Sequence, residues 1–281
     1  MASHARRSLE RWRTTYLGLL LVGSVLAALA AHPGGLAGPA VGPLASTAAV
    51  ALALATFVQA RFLAAPATRE RSRSRAAAEG LKGLVYQYLA GVAPYDAPDR
   101  AAVLDAKVGE LETQVEDLAH LVVGVDPDDR DLPAVTGVAD YRRERAEGQR
   151  AWHVQAAREH LQRAKAWRTA EILSAAAATV VAALGGVNKS HDLSVWVTVA
   201  TTFAAAFAAQ AAAGQHDRVA DSCARTAHDL GTLLRRFDPT TATSATSAGF
   251  VADVEGVLAA QNRTWLSLFQ SSRGLEQPGS P

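Results

Sequence analysis

From Thr14 to Ala60 the chain contains no Asp, Glu, Lys or Arg. A helix on the surface of a soluble protein turns a polar face to water, so a soluble fold rarely leaves so long a stretch without charge. A bilayer core is the environment that favours it, and one helical crossing takes about 20 apolar residues. The stretch is divided by HPGGLAGPAVGP (His32–Pro43), whose Pro and Gly content predicts a turn. Two membrane spans are therefore expected, at about residues 16–31 and 44–64, with Arg61 near the end of the second placed to snorkel towards headgroups. The pattern recurs later in the chain. No charge follows Glu171 until Lys189, and none lies between Leu193 and Gln215. A second pair of spans is expected at about 172–187 and 193–213, joined by NKSHD (Asn188–Asp192). The alternative weighed for both pairs is a set of Ala-rich soluble helices.

Basic residues orient these spans. Arg6, Arg7, Arg11 and Arg13 precede the first, and Arg61, Arg69, Arg71, Arg73 and Arg75 cluster at the end of the second and beyond it. Arg163, Lys165 and Arg168 precede the third, and Arg218 and Arg225 follow the fourth. The links inside each pair hold only Lys189 as a basic residue, so the positive-inside rule places both termini and the long middle region in the cytoplasm. The basic N-terminus followed by an apolar run has the outline of a signal peptide. The second apolar run directly behind it favours an uncleaved hairpin instead. The expected fold class is all-α and integral to the membrane: four transmembrane helices as two short hairpins, with helices extending into a cytoplasmic bundle.

The net charge of +1 gives no global case for a nucleic-acid partner. RERSRSR (Arg69–Arg75), beside a span, is expected to meet lipid headgroups rather than nucleic acid. One cysteine, Cys223, rules out an intramolecular disulfide and gives no basis for a Cys metal site. No Gly-rich phosphate loop, GxSxG or HExxH occurs, and the histidines lack ligand spacing. No enzyme, cofactor or metal is expected. His216–Asp217 is read as a solvated pair at the membrane surface, with a proton-linked site as the alternative.

The polar part reads as helical. Leu81, Val85, Tyr88 and Val92 keep helical spacing, and Leu104, Val108, Leu111, Val115, Leu118 and Val122 keep heptad spacing. The heptad stripe is expected to face the core within one chain, or alternatively to pair between subunits. Gly124–Val138 reads as a loop. Tyr141, Arg145, Gln149 and Trp152 share one stripe of a helix that then runs, with no turn residue, into the third span. They form the candidate control face on the cytoplasmic side. The stretch from Gly214 to Phe237 is expected to continue the fourth span as helix, and a last helix carries Phe250, Val254, Val257, Gln261, Trp265 and Leu268.

Within the fourth span Thr198, Thr201, Thr202, Ala205 and Ala209 lie broadly on one side. Small residues let helices pack closely in lipid, and a Thr/Ala stripe can also line a narrow water path in an oligomer. The alternative for each Thr is a hydroxyl bonded back to its own helix. With no charge at mid-depth, a proton-coupled transporter is disfavoured.

Two stretches carry a family resemblance. RAAAEGLKGLVYQYLAGVAPY (Arg75–Tyr95) follows the second span, and YRRERAEGQRAWHVQAAREHLQRAKAW (Tyr141–Trp167) precedes the third. They resemble the tandem SLATT proteins, built of SMODS- and SLOG-associating two-transmembrane effector domains. The residues that carry the first motif are Arg75, Glu79, Lys82, Tyr86, Tyr88 and Pro94-Tyr95; those of the second are Tyr141, Arg145, Gln149 and Trp152-His153. Tyr86 stands where the family pattern has Trp, and His153 where it has Tyr. The terminal helix adds an acid and a Trp, Glu255 and Trp265.

The resemblance divides the chain into a first unit (1–98), a heptad helix and loop (99–138), a second unit (139–270) and a disordered tail (271–281). It implies a membrane effector of a bacterial conflict system, a homo-oligomer that permeabilises the inner membrane. A nucleotide-generating or nucleotide-sensing protein is the implied partner. The alternatives are a non-conducting membrane-anchored scaffold and a small-solute transporter.

Overall fold

The computed structural model describes residues 2–31, 41–62, 65–123, 131–188 and 194–270, and among these there is no strand. The 32–40 turn, the 124–130 part of the loop, the 189–193 link and the 271–281 tail lie outside the described residues. The helices are α1 (Ala2–Ala31), α2 (Val41–Phe62), α3 (Ala65–Ala90), α4 (Arg100–Gln114), α5 (Val138–Tyr141), α6 (Gly148–Asn188), α7 (Ser194–Gly214), α8 (His216–Arg236) and α9 (Ser244–Gln270). A 3₁₀ segment (Glu116–Val122) lies beyond α4, and a π turn (Arg142–Glu147) joins α5 to α6. Four of the helical runs are long and apolar enough to cross a membrane. The protein is an all-α integral membrane protein. Its chain divides into two compact units, one of residues 1–67 and 160–217, the other of residues 68–159 and 218–281.

The first unit holds the spans. Helix α1 packs against α2 and α7. The buried residues are mostly small: Ala28, Ala48, Ala51, Ala55, Ala178 and Ala206. The large apolar residues Val22, Leu54, Phe57, Ile172, Val180 and Leu184 are exposed. A soluble core places these two sizes the other way round, whereas helices in lipid approach through small residues and turn bulky ones to the acyl chains. Gly23 shows how close the approach is, since a Cβ there would lie 2.9 Å from Leu52 Cγ. Helix α2 begins at Val41, ahead of the expected start at residue 44. Pro43 sits in the first turn, where its missing N–H has no intrahelical partner to lose.

At the end of α7 the helix does not simply continue. Gln215 adopts φ 45°, and α8 starts at the next residue. The first residue of α8, His216, has its Nδ1 2.9 Å from Nδ1 of His160. Asp217 instead pairs with Arg168 at 3.5 Å, with both groups exposed. The expected His216–Asp217 site is thus two separate pairs.

The second unit has an apolar core. Helix α8 buries Val219, Ala220, Cys223, Thr226, Ala227, Leu230, Gly231 and Leu234, a repeat of three and four residues that makes one continuous face. Leu230 and Leu234 join Val92, Val135, Tyr141, Phe250, Val251, Val254 and Leu258. Full burial of each such side chain contributes about 1.5–3 kcal/mol. Phe237 stacks flat on Phe250, with ring centroids 4.0 Å apart. Gly91 ends α3 with φ +65°, a conformation that lacks a Cβ penalty only in glycine.

The heptad stripe departs from expectation. Helix α4 stops at Gln114, buries no residue fully, and gives way to the 3₁₀ segment, where Leu118 is buried and Val122 exposed. Arg73 caps that end. Its Nη2 donates to the Gln114 carbonyl at 3.3 Å and to Asp117 Oδ1 at 2.7 Å, taking a helix-end carbonyl that another turn of α-helix would have used.

Candidate functional site: a buried arginine–glutamate network

Helix α5 is set by Thr136, whose N–H and hydroxyl donate to Asp140 Oδ2 at 3.1 and 2.7 Å. These bonds, with Arg143, hold the Asp140 carboxyl below its usual pKa. One residue on, Tyr141 is completely buried, and the π turn follows. A π turn takes one more residue per turn than an α-helix, which changes the face presented downstream. Tyr141 and Arg145 lie on the inward face. Gln149 is half-buried, and the face continues through His153 and Ala156 rather than Trp152. His153 is 2% exposed and Trp152 is 41% exposed. The α-helical spacing of the sequence placed Trp152 in that stripe; the wide turn moves it one residue along.

The centre of the site is Arg145, 3% exposed, bonded to Glu255 of α9 by two parallel contacts. Nε donates to Glu255 Oε1 at 3.1 Å and Nη2 to Oε2 at 3.2 Å. The Tyr141 hydroxyl donates to the same Oε1 at 2.9 Å. Glu79 of α3 lies 3.8 Å from Arg145 Nη1 and receives Lys82 at 3.0 Å. The Tyr86 ring faces the guanidinium at 5.2 Å and meets the edge of Tyr141. Three helices distant in sequence thus converge on one guanidinium.

This charge is buried at a cost of several kcal/mol unless it is paired and hydrogen-bonded, and the bidentate carboxylate supplies both. Burial alone would lower the Arg145 pKa; the bonds to Glu255 outweigh it and hold the group above its ordinary value. Burial and the Glu255 charge push Tyr141 far up, so its hydroxyl stays a donor. His153 is driven the other way, down to about 4, first by burial and then by the charge of Arg75. Its Nδ1 makes no hydrogen bond. These groups precede the charge-free part of α6 that forms the third span.

A second layer surrounds the network. Arg75 lies over the rings of Trp265 and Trp152, at 4.6 and 5.5 Å. Tyr88 meets the edge of Tyr95 and the guanidinium of Arg100. The motif residues Arg75, Glu79, Lys82 and Tyr86 therefore belong to one assembly with Tyr141 and Arg145. Two of the basic residues expected to face lipid, Arg73 and Arg75, are engaged inside this unit. Glu255 carries the network and His153 is buried on the same face, and neither was assigned to the control face from sequence. The only signals for them were an acid in the last helix and a His beside the Trp. The stripe of α7 contributes nothing to this assembly: Thr198, Thr201, Ala205 and Ala209 are exposed and Thr202 is half-buried in the other unit.

Residues 141–265 match the SMODS and SLOG-associating 2TM effector domain 1 family; Tyr141, Arg145, Glu255 and the third and fourth spans fall inside that match, while Glu79 and Tyr86 lie outside it. The chain carries a SLATT domain at 141–265. Residues 1–102 match a second family, described as protein of unknown function (DUF4231), which takes in the first two spans and α3. No curated protein and no solved structure matches the chain. In the SLATT domain, Tyr141 and Glu255 stand near the two ends of the matched region, so their hydrogen bond ties its beginning to its end. The two transmembrane helices in the family's description correspond here to the apolar part of α6 and to α7.

Proposed function

We propose that this SLATT-domain protein is a membrane effector of a bacterial conflict system, which oligomerises and permeabilises the inner membrane. Its termini are cytoplasmic, and the arginine–glutamate network is its control element. One observation carries the reading: α6 runs unbroken from Gly148 to Asn188, so the helical run that holds Arg145 is also the run that supplies the third span. A rearranged network would turn or tilt that span without an intervening hinge. The trigger comes from a partner protein, of the nucleotide-generating or nucleotide-sensing kind that the family resemblance implies. Four spans per chain enclose no wide channel, so conduction requires several copies.

A specific observation favours the non-conducting scaffold as second reading. Thr201 donates to the carbonyls of Val197 and Thr198, both at 3.0 Å, and Thr202 to that of Thr198 at 2.8 Å. These hydroxyls are satisfied within their own helix rather than offered to a water path. Membrane potential in bacteria expressing the chain separates the two. Depolarisation that Thr202→Asp abolishes at equal inserted protein supports the pore. A potential that holds steady both alone and beside the native neighbouring genes supports the scaffold.

A further inference from the structure

In the second unit, the π turn, α6 and α8 border an open cleft of about 830 Å³, whose lining holds none of Arg145, Tyr141 and Glu255. Its lining includes Arg142, Arg150 and Arg235, with Glu147 and Asp238 as the acids. One acid is ion-paired and the other is held by neutral donors. Glu147 is paired with Arg142. Asp238 Oδ1 accepts from the Thr240 N–H and hydroxyl at 2.9 and 2.7 Å.

The two remaining cations converge over a glycine. A Cβ built on Gly231 would lie 3.0 Å from Arg150 Nε and 3.5 Å from Arg235 Nη1. Arg235 Nη2 donates to Thr232 Oγ1 at 3.0 Å, a neutral partner. Among the described residues Arg150 has no hydrogen-bond or ion-pair partner. Arg142 adds a buried Nε with no hydrogen-bond partner. Among the described residues neither Arg150 nor Arg235 is ion-paired, and two guanidinium groups held together repel one another, with the Asp238 carboxylate on the same lining offsetting only part of the three positive charges. A multivalent anion between them reverses the sign of that interaction and satisfies their donors.

We propose that this cleft binds a small phosphorylated molecule, with Arg150 and Arg235 as phosphate ligands over the bare backbone of Gly231. Guanidinium forks match phosphate oxygens in pairs. The cleft volume lies in the range of small-molecule sites. Gly231 is required because a side chain there would fill the place where the two forks meet. The site is separate from the control network, and its test reads binding rather than conductance, so it stands or falls apart from the pore reading.

The experiment is calorimetric titration of the full chain, in uncharged detergent, with inorganic pyrophosphate as probe. Wild type is expected to bind and to weaken with added salt. Arg150→Gln and Arg235→Gln should each weaken binding about tenfold. Gly231→Ala should weaken it with both arginines present. Arg158→Gln, on the exposed side of α6, should leave it unchanged. Phosphatidylglycerol added to the micelles separates the sources. Undisturbed pyrophosphate binding assigns a soluble ligand; competitive displacement assigns the same phosphate chemistry to a lipid headgroup. Absence of binding at millimolar pyrophosphate, or equal affinity in the folded Arg150→Gln/Arg235→Gln protein, would overturn the proposal.

Discussion

The carboxylate of Glu255 lies where a side chain on Gly83 would stand: a Cβ at Gly83 would come within 2.8 Å of Glu255 Oε2. Helix α3 is therefore bare at the point where α9 delivers the partner of Arg145. Alanine is a better helix former than glycine by about 1 kcal/mol, so Gly83→Ala would stabilise an isolated helix. Here it should destabilise, because Glu255 cannot withdraw without loosening both bonds to Arg145. In a Glu255→Ala background the same change should become stabilising. A double-mutant cycle in thermal unfolding of the detergent-solubilised protein reads that reversal of sign.

Removing one partner of the ion pair leaves the other buried and unpaired. Arg145→Ala and Glu255→Ala should each cost about 3–5 kcal/mol. Arg145→Met with Glu255→Leu should cost less than either single change, since neither charge is then left uncompensated. Urea unfolding followed by circular dichroism checks the order. A double variant as unstable as the singles would mean that Tyr141 and Glu79 depend on the pair as well.

His153 predicts a pH dependence. Its folded pKa is about 4 against an unfolded value near 6.5, so the unfolded chain binds the extra proton first as pH falls. The stability contributed by the neutral, buried ring is complete above the unfolded value. It is lost as pH falls through that window, by at most about 1.4 kcal/mol per pH unit, and the loss levels off below the folded pKa. Melting temperature measured across the window should fall more steeply for wild type than for His153→Gln.

Arg75 should be visible spectroscopically. Its guanidinium covers Trp265 at 4.6 Å and Trp152 at 5.5 Å. Arg75→Met keeps an unbranched stem and removes the charge from above the rings. The expected cost is about 0.5–2 kcal/mol, with a shift in tryptophan emission that Trp265→Phe reduces. An unchanged spectrum would show that the two indoles do not sense this residue.

The four spans were legible because absence of charge is a property of composition over a long window, and lipid demands it at every helical turn. Tyr141 and Arg145 were legible as neighbours because four residues separate them. The continuation of their stripe was not, since nothing in RRERAE announces a π turn and an α-helical count lands on Trp152 in place of His153. The end of α4 was hidden for another reason. The apolar heptad runs on through Val122, but the bond that caps the end of α4 comes from Arg73, a residue forty-one positions before the Gln114 carbonyl. Glu255 lies 110 positions from Arg145. Periodicity reports which face of a helix is apolar; it does not report which charge on a distant helix will arrive there.

The wide turn at Arg142–Glu147 also bears on how such a chain tolerates insertions and deletions. A π turn is an α-helix with one residue to spare. Losing a single residue from that hexapeptide would restore ordinary helical winding without breaking the backbone ladder, and later side chains would keep their faces relative to Tyr141, because the α-helical count that falls one residue short of His153 would then land on it. The same loss taken between Gly148 and Trp152, where the winding has no residue to spare, would turn every later side chain by about 100° and carry His153 off the inward face. A change of length is thus absorbed at the wide turn and re-indexes α6 when it falls just beyond it.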